Sequence, residues 1–157
     1  MQNPQRSILL RGPRSGLTLL LVLAVYVLGV GGSGAAEPFV VIVNAANPAS
    51  AMPAEELASA FLKKVQRWPQ GDEIMPVDLT DESRIRESFS RLVLQKSTAA
   101  VKAYWQKMIF SGRQVPPPEK VSSADVVAFV RANRGGIGYV AADAPLGAGV
   151  KVIRISP

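Results

Sequence analysis

Five consecutive apolar residues, Phe39, Val40, Val41, Ile42 and Val43, constrain the fold more than any other feature of the chain. Four of the five are β-branched, and the run does not alternate, so it reads as a strand buried on both faces of a parallel or mixed sheet. Such a strand needs helices to cover it, and the downstream sequence supplies them. Pro53, Glu55 and Glu56 suit the first turn of a helix whose buried stripe is Ala54, Leu57, Ala58, Phe61 and Leu62. Lys63, Lys64 and Arg67 favour its C-terminal end, and residues 68–72 close the unit.

The rest of the chain repeats the alternation. Ser97 and Thr98 open a helix whose inner face is read as Val101, Tyr104, Trp105, Met108 and Ile109, stopped by Ser111 and Gly112. Pro116, Pro117 and Pro118 force an extended connection. Ser122 and Asp125 start a fourth helix, with Val126, Phe129 and Val130 inward, and residues 133–136 end it. Residues 137–140 read as a short strand whose glycines permit close backbone approach. Residues 150–155 read as a last strand, alternating enough to lie at a sheet edge. Strands alternating with helices make the class α/β, one domain in size.

Residues 1–36 stand apart from that domain. Arg6, Arg11 and Arg14 carry charge with no acid among them; residues 17–30 are apolar except Thr18 and Gly29; small residues follow, with Gly34 and Ala36 placed for signal-peptidase cleavage. That order is a secretory signal, and fourteen residues are short of the roughly 20 a spanning helix needs. An uncleaved anchor is the competing reading. The expectation is therefore a periplasmic domain over residues 37–157, touching the membrane only through the signal segment. The three arginines account for half of the formal net charge of +6. The remainder has no basic run with interleaved aromatics, so nucleic-acid binding is not expected.

The chain has no His and no Cys. A His- or Cys-ligated metal site, a Ser-His-Asp triad and a cysteine nucleophile are thereby excluded, and no cofactor is called for. The reading is a non-enzyme.

The candidate site is the stretch from Ile74 to Phe89, an apolar strand, a polar turn and an amphipathic helix with Ile85, Phe89, Leu92 and Val93 on one face. Thr80 or Asp81 is placed to cap that helix. Unpaired N–H groups and the helix dipole also make such a turn an anion site. Acids outnumber bases by two over residues 78–87, and they complement the dipole with no ligand present. Both readings stand on the residues alone.

Several motifs together resemble a known family. The strand at 39–44, the run Phe61, Leu62, Lys63, Lys64, the element Arg67, Trp68, Pro69, and the ending Gly136, Ile137, Gly138, Tyr139, Val140 are similar to the second lobe of periplasmic phosphate-binding proteins of ABC transporters. Tyr104 and Trp105 with residues 109–113 resemble its short, single-lobe members. The resemblance implies a three-layer α/β/α domain like one lobe of a type II periplasmic binding protein. It maps the family's phosphate turn onto residues 78–86, with Asp81 and Ser83 matching an Asp and a Ser, while Glu82 and Arg84 stand at glycine positions and Ile85 at a Thr. The implied ligand is phosphate or a related small oxyanion. Thr80 and Ser83 would donate hydroxyls, Arg86 would neutralise charge, and Asp81 would accept or cap. Asn44 and Ser50 from the first loop, and Gly136 before the late strand, complete the implied set. An ABC transporter permease or another periplasmic protein is the implied partner. The alternative is an accessory module that binds a protein and no small molecule. Intact-mass measurement of the exported protein should give an N-terminus at Glu37 or within a residue or two, whereas full-length chain recovered from the inner membrane establishes the anchor.

Overall fold

β1 (Phe39–Asn44) is the strand on which the sheet is built, with neighbours on both sides. The computed structural model describes residue 36 and residues 38–157, so the export signal expected over 1–36 lies, apart from Ala36, outside the described residues. The elements then follow as β2 (Ala51–Pro53), α1 (Ala54–Phe61), β3 (Met75–Pro76), β4 (Asp78–Leu79), α2 (Arg84–Leu92), α3 (Thr98–Phe110), β5 (Glu119–Lys120), α4 (Ser123–Ala132), β6 (Gly136–Ala141) and β7 (Val150–Ser156).

The main sheet has the order β2-β7-β1-β6-β3 and is mixed. β1 runs antiparallel to both β6 and β7, while β2 is parallel to β7 and β3 to β6. β4 and β5 form a separate parallel pair. β7 is therefore an interior strand, not the edge its alternation suggested. Its Val152 and Ile155, three positions apart and so on opposite faces, are 47% and 41% exposed.

Register decides which helix covers which face. Ile42 lies opposite Gly138, and the site a Gly138 side chain would fill is bounded by Val126 and Val130 of α4. Val41 lies opposite Tyr139, on the other face, where Phe39 and Tyr139 meet Phe61 of α1 and Phe89 of α2. The result is helix, sheet, helix in three layers, as expected. Phe89 and Tyr139 are stacked, 3.9 Å between centroids and 5° from parallel, and both are fully buried.

Three helices begin on a serine whose Oγ accepts a backbone N–H: Ser83 for α2, Ser97 for α3, Ser122 for α4. Each satisfies one of the donors a helix start leaves open. The expectation that Thr80 or Asp81 caps α2 does not hold. Thr80 donates its N–H to Lys120 O, extending the β4–β5 ladder, and accepts from Ser83 N–H to close a turn, so the helix starts only after Ser83. Two apolar stripes are also narrower than their periodicity suggests. Leu92 and Ile109 are 52% and 50% exposed, because α3 packs on α2 at the outside of the molecule and buries only Val101 and Trp105.

Gly138 lies tightly packed beneath Val126 and Val130 of α4. A Cβ there would lie 2.6 Å from Val126 Cγ1 and 2.9 Å from Val77 Cγ1. Gly138→Ala should destabilise by about 1–3 kcal/mol through overpacking. Denaturant melts indistinguishable from wild type would mean that α4 can move away freely.

Candidate functional site

Arg86 is an arginine in the first turn of α2 with only 3% of its surface exposed. A buried guanidinium must have its donors met and its charge matched. Nη1 donates to the Leu79 carbonyl and to Glu119 Oε1 at 2.6 Å. Nη2 lies 3.5 Å from Asp78 Oδ2 and 3.3 Å from Asp81 Oδ1. Nε is buried with no partner. Three carboxylates from two chain segments, residues 78–81 and β5, thus converge on one cation.

Asp78 is the innermost of them. Its Oδ1 accepts from the Tyr139 hydroxyl and from Leu79 N–H. Burial pushes its pKa up, against the pull of Arg86, the Tyr139 hydroxyl and the Leu79 amide, and the net direction is upward. Burial and the adjoining Asp78 charge push the Tyr139 phenol up as well, so it stays a donor. Burial disfavours the Arg86 charge, but Asp78 and Glu119 outweigh it, and the guanidinium is held above its ordinary value. Glu82 is pulled down by its own backbone N–H and by the Thr80 hydroxyl, which leaves that hydroxyl engaged within the turn.

Outside this network lies a cavity of about 280 Å³ lined by Asp81, Arg86, Lys102, Trp105, Gln106, Ile109, Pro116 and Glu119. Lys102 Nζ stands 3.7 Å from Asp81 Oδ2. Two cations and two half-exposed carboxylates therefore share one concavity near the size range of small-ligand sites.

The sequence-derived site residues divide into two groups. Thr80, Asp81, Ser83 and Arg86 come together at the turn, where Ser83 Oγ is held at 3.3 Å by Arg86 N–H. Asn44 and Gly136 lie at the opposite end of β6, since Val43 pairs with Ile137 and Met75 with Gly136. The Asn44 amide donates to the carbonyls of Val130 and Arg131 and ties down the end of α4. A Cβ on Gly136 would sit 2.8 Å from Asn133 O, which gives that glycine a packing reason. Ser50 is exposed beside the β2 edge and accepts from Arg154 N–H through its carbonyl. Asp78, Lys102, Glu119 and Tyr139 were not anticipated. An acid in the otherwise apolar stretch Met75, Pro76, Val77, Leu79 was a legible sign of a buried partner; Glu119, 33 positions from Arg86, left no local sign.

Comparisons with known proteins agree with this architecture. The family model described as a PBP superfamily domain matches residues 34–152. Among solved structures, an ABC-type phosphate transport receptor from Vibrio cholerae is similar at a TM-score of 0.59 and 20% identity, covering 76% of this chain and 46% of the receptor. PstS from Borrelia burgdorferi is similar at 0.59 and 15% identity, covering 76% of this chain and 47% of its own. The chain thus spans a little under half the length of these neighbours, and the likeness is one of fold. No curated protein sequence matches.

Removing Arg86 leaves Asp78 buried and without its cation. Arg86→Gln should cost about 3–5 kcal/mol, the range for breaking a buried pair. Because the raised pKa means that folded Asp78 holds its proton more tightly than unfolded, stability should fall as pH climbs from about 4 through the folded value. The fall should steepen in Arg86→Gln and vanish in Asp78→Asn. Melts between pH 4 and 8 test this, and a pH-independent difference between wild type and Asp78→Asn would refute it.

Proposed function

We propose, since the chain belongs to the family of PBP superfamily domains, that it works as an exported solute-binding lobe whose ligand is a small oxyanion of the phosphate class. The observation that carries the reading is the cavity between the start of α2 and α3, where Arg86 and Lys102 stand together. The solved structures of similar fold include a phosphate transport receptor, which supports the ligand class. Lys102, exposed at the cavity mouth beside Asp81, would meet the anion first. Arg86 would meet it by exchange, because Glu119 and Asp81 now hold its outer donors. Both are roughly 40–46% exposed, so releasing either into water costs far less than releasing Asp78. The Ser83 and Thr80 hydroxyls are committed to the helix start and to Glu82, and serve the turn's shape more than the ligand. The site is one of binding. Delivery of the anion to an ABC transporter permease would complete the role, in the periplasm if the export signal is processed.

One observation favours a second reading. Arg86 is already neutralised by three carboxylates, so the resting cavity offers an incoming dianion little net attraction. An accessory module that binds a protein partner, with the network as a purely structural device, fits that balance.

Calorimetry with phosphate and with sulfate separates the two. On the oxyanion reading wild type binds phosphate, Lys102→Gln weakens binding with a smaller loss at high salt, and Glu119→Gln tightens it by freeing Arg86. Absence of heat with phosphate in both wild type and Glu119→Gln, alongside a stoichiometric protein partner on purification, would leave the accessory module standing.

A further inference from the structure

Phe110, the last residue of α3, is 90% exposed, the most exposed of the large apolar side chains among the described residues. Its neighbours Ile109 and Val115 are 50% and 62% exposed. An isolated exposed apolar residue is ordinary, but here Ile109 and Val115 line one shallow depression with Gly112 and Arg113, and Phe110 adjoins Ile109 at the helix end. The turn is also held rigidly. Gly112 takes φ +65°, Arg113 N–H donates to Met108 O at 3.1 Å, and Gly112 N–H donates to Ile109 O at 2.9 Å. This is the paired bonding of a Schellman helix end, and Ser111 Oγ adds a bond to Met108 O at 3.0 Å. The ring is therefore presented to water from a hydrogen-bonded helix end.

Charge identifies what it is presented to. No acid occurs anywhere in residues 98–118. Lys102 is engaged by Asp81, but Lys107 and Arg113 flank the apolar turn, are exposed, and make no ion pair among the described residues. A projecting aromatic and two aliphatic side chains flanked by two cations without ion-pair partners, with the carboxylates Asp81 and Glu119 set back in the cavity that Ile109 also lines, suit the headgroup region of an anionic bilayer. The basic and apolar segment at residues 6–30, if kept as an anchor, would hold the domain beside a membrane.

We infer that the turn formed by Ile109, Phe110, Gly112, Arg113 and Val115 is a membrane-surface contact, with Phe110 entering the interface of an anionic lipid layer and Lys107 and Arg113 pairing with lipid headgroups. This contact requires no oxyanion in the cavity beside Arg86, although Ile109 also lines that cavity.

The test uses a Phe110→Trp variant of the protein in the form recovered from cells. Trp68 and Trp105 are buried, so the new indole reports on the turn. With vesicles of equal parts phosphatidylglycerol and phosphatidylcholine its emission should shift to the blue and be quenched by brominated lipid; with phosphatidylcholine alone, or at high salt, both effects should fade. In sedimentation with the mixed vesicles, Phe110→Ser should lower partitioning at least about tenfold. Lys107→Gln and Arg113→Gln should each lower it about fivefold. An indole unaffected by anionic vesicles, or a Phe110→Ser protein that sediments like wild type, overturns the inference. So does a protein partner that buries the indole while lipid does not.

Discussion

Placing Arg86 out of water is the commitment on which residues 38–157 depend. A guanidinium in the interior forfeits several kcal/mol of hydration, and only close carboxylates and carbonyls return it. Asp78 comes from β4, Glu119 from β5, and the Leu79 carbonyl lies between them. The short β4–β5 pair has only two residues in each strand, too few ladder bonds to hold its own geometry, and the shared cation joins the two from outside. Tyr139 extends the connection into the main sheet. Its hydroxyl bonds Asp78 while its ring stacks on Phe89, three residues along α2 from Arg86. One turn of helix is thus fixed twice, by its polar side through Arg86 and by its apolar side through Phe89. The paired constraint sets where α2 begins, and with it the shape of the adjoining cavity.

The sequence carried the layers more faithfully than it carried the site. The unbroken run at 39–43, the serines before α3 and α4, and the Gly-Ile-Gly-Tyr-Val ending each express a requirement met within a few residues: burial on both faces, a donor to be satisfied, or a close approach to α4. Position in the sheet is another kind of fact. The residues of β7 alternate as an edge strand's would, and nothing within residues 150–156 records that β2 will pair along its far side. The site failed to read out for a related reason. Asn44 and Gly136 look like loop residues beside strands, but antiparallel pairing of β1 with β6 places them at the end remote from the 80–86 turn. Thr80 looks like a helix cap because the β5 strand that captures its N–H lies 40 residues further on. Arg86 was legible as a cation near an anion site, not as a cation with its anions already present.

The distribution of those anions gives the surface its character. Three of the acids in a chain with 12 are drawn to the single guanidinium of Arg86, and Asp81 is shared with Lys102. The C-terminal end of the outer helix α3 and its proline-rich exit carry no acid of their own. A neutralised cation beside a cavity and unneutralised cations beside an apolar turn are therefore two results of one allocation. At the cavity, an incoming anion competes with resident carboxylates, so geometry and the exposure of Glu119 decide the outcome more than long-range attraction does. At the turn, Lys107 and Arg113 make no ion pair among the described residues, and their field extends about a Debye length into solvent, roughly 8 Å at physiological salt. Charge alone is thus a poor guide to where this molecule binds a small anion and a good guide to which of its faces an extended anionic surface approaches first.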